Sequence, residues 1–194
     1  MSREVIVYLK TPYEGKPAAA RDGADAARPS PSHALLARAA ALYTGRAQEA
    51  FAALASGARG KPYFAAHPGL HFSISHSADL WACAMDGAAV GLDVQAARAQ
   101  DAERIARRFF HPLEQAYLER CGYGEFFRVW AAKESYCKYT GAGIDGTFSG
   151  FSVSDGARLL TRMADVWLCH FTPREGYAAC LCTGGAAQVR MINL

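Results

Sequence analysis

No stretch of this sequence approaches the roughly 20 consecutive apolar residues of a membrane-spanning helix. The apolar run Val5–Leu9, closed by Lys10 and Pro12, is too short for a signal peptide. Both absences lead us to expect a cytoplasmic protein that does not engage membrane. Charge of one sign is scarce as well. Lys and Arg number 21 against 18 Asp and Glu, a formal net charge of +3. That is too little for nucleic acid as the main partner, though it is compatible with a local basic site for a small polyanion. The six cysteines (Cys83, Cys121, Cys137, Cys169, Cys180, Cys182) fit no zinc template, since Cys180 and Cys182 are separated by one residue rather than two. They read as reduced, mostly core residues. A Gly-rich loop able to cradle nucleotide phosphates is missing too.

What remains is ordinary globular composition, 51% apolar and 20% charged over 194 residues. A chain of this length buries roughly 70% of its unfolded surface and needs no staple.

Val5–Leu9 reads as a strand and residues 15–31 as a loop. Residues 33–55 read as one or two helices broken near Gly45. Strands are expected at 71–76, 80–85 and 88–94, with Asp86-Gly87 as a hairpin turn between the last two. Residues 101–109 should be helical, and Pro112 and Glu114 mark the start of another helix after His111. The clearest helix runs over 125–139 and is closed by Gly141. Strands are expected at about 148–154, 158–163, 166–172, 177–183 and 188–193. Helix then strands, twice over, predicts an α+β protein of two similar halves packed side by side, residues 1–97 and 98–194.

On the 125–139 helix, Phe126, Trp130 and Cys137 form an apolar stripe. Glu134 and Lys138, four residues apart, are neighbours at its edge, and Lys133 flanks the other side. Taken alone, Glu134 and Lys138 read first as a surface ion pair and only second as part of a site. Asp93, at the end of an apolar strand, is either a turn residue or a buried carboxylate that needs a cation. With Glu134 it becomes a candidate Mg²⁺ ligand. On an alternating strand, Phe72 and Ile74 face one side and His71, Ser73, Ser75 and Ser77 the other, with His76 near the end. These hydroxyls would suit an anion, and structural roles would suit them as well. Arg59-Gly60-Lys61-Pro62 is a basic turn, and Glu114 is accounted for by the helix N-terminus.

In order and spacing, Gly60-Lys61-Pro62, the stretch from Phe72 to Ser77, Gly91-Leu-Asp93-Val-Gln95, the stretch from Phe109 to Glu114 and the stretch from Phe126 to Gly141 together resemble the surfactin-type (Sfp-like) 4′-phosphopantetheinyl transferases. The WxxKES-x₂-K helix after a GxD strand is the specific part. The resemblance covers about residues 60–154. It implies a Mg²⁺-dependent enzyme that moves phosphopantetheine from coenzyme A to a serine hydroxyl of an apo acyl or peptidyl carrier protein and releases adenosine 3′,5′-bisphosphate. It also implies a monomer of two similar α+β halves with the active site at their interface.

By position, it makes Asp93 and Glu134 metal ligands and places Lys138 near the pyrophosphate. Lys61, Pro62, Ser75 and His76 become coenzyme A contacts. Lys133 becomes a charge around the site, and Glu114 a secondary acid. Glu134, with Lys138 beside it, is the expected catalytic group, and Glu114 is the second choice as base. Many members carry a third acidic ligand where this chain has Gln95, which offers a metal only a neutral carbonyl oxygen. The basic cluster that in relatives grips the 3′-phosphate is not legible, and His33 and Arg38 stand in for it here. Phe109, Phe110, Leu113 and Tyr117 are candidates for the carrier-docking surface, core packing accounting for some of them equally well, with Arg98, Arg104, Arg107 and Arg108 steering an acidic partner. A second reading is a non-catalytic relative that binds coenzyme A or a carrier protein.

Overall fold

The computed structural model describes residues 3–15, 30–57, 60–143 and 148–194. Most of the loop expected at 15–31, and Arg59, lie outside the described residues.

Strand β1 (Arg3–Lys10) leads to helix α1 (Pro31–Thr44). Ser30 caps the start of α1, accepting from the His33 N–H, and Gly45 closes it in the left-handed region, at φ 70°. A short 3₁₀ turn, Gln48–Phe51, follows. The two-residue strands β2 (Ala55–Ser56) and β3 (Pro62–Tyr63) pair around the Gly60 turn. Next come β4 (His71–Ser77), β5 (Leu80–Asp86) and β6 (Val90–Ala96). Helices α2 (Ala102–Phe109), α3 (Pro112–Arg120) and α4 (Phe126–Thr140) follow, then β7 (Arg162–Met163), β8 (Val166–Phe171), β9 (Tyr177–Thr183) and β10 (Ala187–Asn193). Among the described residues no helix is long and apolar enough to cross a membrane.

The remaining strands form two four-stranded sheets, β10-β1-β5-β4 and β6-β9-β8-β7. Helix α1 covers the first sheet with a core of Leu36, Phe51, Phe72, Trp81 and Met85. Helices α2–α4 cover the second, around Phe110, Leu118, Phe126 and Val129. Between the sheets lies a third apolar layer of Val5, Val7, Leu80, Ala82, Leu92, Val94 and Leu181. The result is α+β in four layers. It explains why β5 (LWACAMD) is buried along its whole length. Trp81, Cys83 and Met85 face α1, while Leu80, Ala82 and Ala84 face the second sheet.

Three expectations are corrected here. Asp86-Gly87 does turn the chain, but β5 and β6 are not partners in a hairpin, because β6 crosses to the second sheet and pairs with β9. The sheets therefore do not divide at residue 97. Strand β6 belongs with the later strands, and β10 returns to lie parallel to β1. Residues 148–150 form a 3₁₀ turn rather than opening a strand. Asp155 and Gly156 turn the chain so that Ser154 bridges to Leu159, with Asp155 Oδ1 accepting from the N–H groups of Ala157 and Arg158.

Candidate active site

Where the sheets meet, β4 and β6 run side by side without sharing a backbone ladder. Serines take its place. The hydroxyls of Ser73, Ser75 and Ser77 accept the N–H groups of Leu92, Val94 and Ala96 at 2.9, 3.2 and 3.0 Å. The two-residue period of a strand puts all three on one face, and all three are buried. The seam satisfies edge donors of β6 that would otherwise be orphaned.

Helix α4 lies across β6 and β9. It approaches β6 closely at Gly91, where a Cβ would sit 2.0 Å from the Ser135 carbonyl oxygen and 2.5 Å from the Tyr139 nitrogen. Only glycine fits there, and this contact sets Glu134 and Lys138 over Asp93.

Asp93 is 2% exposed. Its Oδ1 accepts from Ser75 Oγ at 2.7 Å and from Lys138 Nζ at 2.8 Å, and its Oδ2 accepts from Gln95 Nε2 at 2.8 Å. Lys138 Nζ also donates to the Ile74 carbonyl at 3.2 Å. Glu134 is buried, and burial first, then the Asp93 charge, push its carboxyl up to about 7 against the opposing pull of Lys138 and Trp130. Glu134 and Lys138 line a cavity of about 460 Å³ with Gly60, Lys61, Pro62, Phe72, Ile74 and Cys137.

The site thus brings together Asp93, Glu134, Lys138, Lys61 and Pro62, residues drawn from three separate stretches of chain. Two neighbouring carboxylates, Glu134 lining the cavity and Asp93 buried behind it, with Glu134 forced toward its neutral form, suit a hard divalent cation. Mg²⁺ is commonly held by one or two carboxylates with waters and substrate oxygens. The donor set therefore fits Mg²⁺, although no group of three or more His, Cys, Asp or Glu gathers among the described residues.

Other residues sit differently from expectation. Lys133 and Glu114 do not reach the cavity. Both are fully buried, with Lys133 Nζ donating to Glu114 Oε1 at 2.8 Å and to the Phe151 carbonyl at 2.8 Å. Glu114 also accepts from the N–H groups of Val153 and His111, the latter closing a capping box on α3. Aromatic rings surround the ammonium, that of Phe151 at 4.0 Å, and burial lowers the Lys133 pKa while Glu114 opposes it. This is a structural pair that ties α3, α4 and the Phe151–Val153 segment together.

Gln95 presents its amide nitrogen to Asp93 rather than the carbonyl oxygen that ligation requires. The Ser75 hydroxyl gives its one proton to Asp93, so it has none left to donate to a phosphate. Lys61 lines the cavity, but its ammonium is aimed at the carbonyls of Val90 and Lys138, at 3.2 and 2.7 Å, holding the end of α4 to β6. His76 is exposed beside Tyr13, with ring centroids 5.8 Å apart, and does not line the cavity. Phe109 and Leu113 are exposed, whereas Phe110 is buried against Phe126. Arg38 is exposed on α1.

The serine seam and the Gly91 contact were not read from the sequence. A glycine inside a strand was their signal, together with serines at every second position of β4.

Residues 89–182 match the profile of the 4′-phosphopantetheinyl transferase superfamily. The chain is 36% identical over 100 residues to the 4′-phosphopantetheinyl transferase Sfp of Bacillus subtilis, covering 48% of this chain and 43% of that one. It is 35% identical over 114 residues to psf-1 of Bacillus pumilus, covering 55% and 48%. Against HetI of a Nostoc species it is 40% identical over 95 residues, covering 44% and 40%. In each case the match spans less than half the length of the relative.

Proposed function

We propose that this protein transfers 4′-phosphopantetheine from coenzyme A to a serine hydroxyl of an apo carrier protein, a reading supported by the match of residues 89–182 to the 4′-phosphopantetheinyl transferase superfamily. The observation that carries the reading is the Lys138 ammonium held by the buried Asp93 carboxylate beside Glu134, with Lys138 and Glu134 themselves lining the cavity. Coenzyme A brings roughly four negative charges, about −1.5 to −2 from its phosphomonoester and the rest from its pyrophosphate. Such a substrate needs cations where its pyrophosphate lies.

Asp93 and Glu134 would hold Mg²⁺. When bound, the ion would supply charge neutralisation at the pyrophosphate. Lys138, 30% exposed at its side chain, would turn from Asp93 to the pyrophosphate oxygens. Glu134 would take the proton of the carrier serine. The serine oxygen bonds to the phosphorus bearing the pantetheine arm, the pyrophosphate P–O bond breaks, and adenosine 3′,5′-bisphosphate departs with the electron pair. Positioning and charge stabilisation carry most of such a transfer. The apolar wall of Phe72 and Ile74 would keep water from the reacting phosphorus. Phe109 and Leu113 would meet the carrier.

The test is mass spectrometry of apo carrier proteins incubated with the protein, Mg²⁺ and coenzyme A. A phosphopantetheine mass increase is expected. No increase on several apo carriers would overturn the reading in favour of a non-catalytic relative, which the donor role of Gln95 would then explain.

A further inference from the structure

Of the three seam serines, Ser75 alone among the described residues meets a carboxylate. Its hydroxyl has one proton and two acceptor positions. The Val94 N–H occupies one acceptor position at 3.2 Å, and the proton goes to Asp93 Oδ1 at 2.7 Å. Asp93 and Val94 are consecutive on β6, so one oxygen of β4 holds both the strand and its carboxylate. A hydrogen bond to an ionised oxygen is stronger than a neutral one. From the other side Gln95 Nε2 donates to Oδ2 at 2.8 Å. Two donors on different oxygens fix the plane of the carboxylate. The third contact on Asp93, from Lys138, comes from a partly exposed side chain that is able to leave. Ser75, 6% exposed, cannot leave without opening the seam.

We propose that Ser75 is a positioning residue: through its hydroxyl, the seam between the two sheets holds the Asp93 carboxylate in the orientation in which Asp93 and Glu134 bind a divalent cation. The inference rests on Asp93 being a cation ligand, as read above. Partners that orient a ligating carboxylate typically govern roughly 10–100-fold of metal affinity or activity.

Ser77 supplies the control, because its hydroxyl makes the same kind of seam bond, to Ala96 at 3.0 Å, with no carboxylate attached. Mn²⁺ affinity is to be measured by calorimetry on the full chain without coenzyme A, alongside urea unfolding and carrier-modification kinetics. Ser75→Ala and Ser77→Ala are expected to lose similar stability. Ser75→Ala alone is expected to lose Mn²⁺ affinity, by roughly 10–100-fold, with kcat falling and KM for the carrier unmoved. Ser75→Thr, which keeps the hydroxyl, is expected to recover the affinity, and Ser75→Cys, a weak donor of similar size, should fall with the alanine variant.

Equal Mn²⁺ affinity in Ser75→Ala and Ser77→Ala overturns the proposal, as does a wild-type protein that binds no Mn²⁺. If the affinities rank as stated but no carrier is modified, the role of Ser75 stands and the transferase reading falls.

Discussion

Glu134 is where the local electrostatics are sharpest. Its carboxyl is pushed up to about 7 from 4.5 in an unfolded chain, so between these values the folded protein holds a proton that the unfolded chain has lost. Stability from this group is therefore full below about 4.5 and declines as pH rises through about 7, by an amount on the order of 3 kcal/mol at most. Urea unfolding of wild type and Glu134→Gln across that window should show a decline only in the wild type, and saturating Mg²⁺ should suppress it. Glu134→Gln should also slow transfer by about 10²–10⁴-fold, read as the rate of carrier mass increase. Gln95→Glu places a third carboxylate against Asp93. Its expected signature is tighter Mn²⁺ binding by calorimetry with a lower unfolding midpoint when metal is absent. The sequence made Asp93, Glu134 and Lys138 legible because residues four apart on a helix share a face, and because a buried carboxylate demands company. It did not show that Gln95 and Ser75 act as donors, since which atom of an amide or hydroxyl faces a neighbour depends on tertiary placement.

At the scale of elements, α4 was readable to within a residue at each end because its apolar spacing and its closing Gly141 agree. The burial of Lys133 was not readable. Periodicity put it beside the apolar stripe, but α4 buries a wide face against β6, β9 and the α3 side at once, and Glu114 is the partner that makes the charge tolerable there. Removing one member of such a pair strands the other. Glu114→Ala should cost about 3–5 kcal/mol in urea unfolding, whereas a surface catalytic acid would leave stability nearly unchanged. Gly91→Ala tests the contact between α4 and β6. With a backbone oxygen in the way, the helix must shift. A loss of about 1–3 kcal/mol should accompany weakened Mn²⁺ binding, as Glu134 moves off Asp93. The strands expected over 148–154 failed because Phe148, Phe151 and Val153 are apolar for another reason, namely burial under α3 and α4.

At the scale of the molecule, the two sheets are joined at a second place. Arg174, after β8, grips Asp79, after β4, through both oxygens at 2.7 and 3.2 Å, and the hydroxyls of Tyr177 and Thr11 donate to the same carboxylate. The Arg174 and then the Tyr177 hydrogen bonds hold the Asp79 carboxyl well below the usual carboxylate range. A depressed pKa adds stability that is present above the unfolded value and is lost as pH falls through the folded one. The acid limb of the thermal unfolding profile should therefore be shallower in Asp79→Asn than in wild type. The α+β class was legible from element order, but the exchange of β6 and β10 between sheets was not, because strand patterns do not say which strand is a neighbour. That exchange also governs how the chain assembles. Strand β1 pairs with β10 in a register joining Arg3 to Ala187, so β1 waits for a strand far along the sequence. Contacts so distant along the chain slow folding. During synthesis the β10-side edge of β1 would stay unpaired until β10 has left the ribosome, an interval in which a chaperone, rather than the native sheet, is its natural shelter.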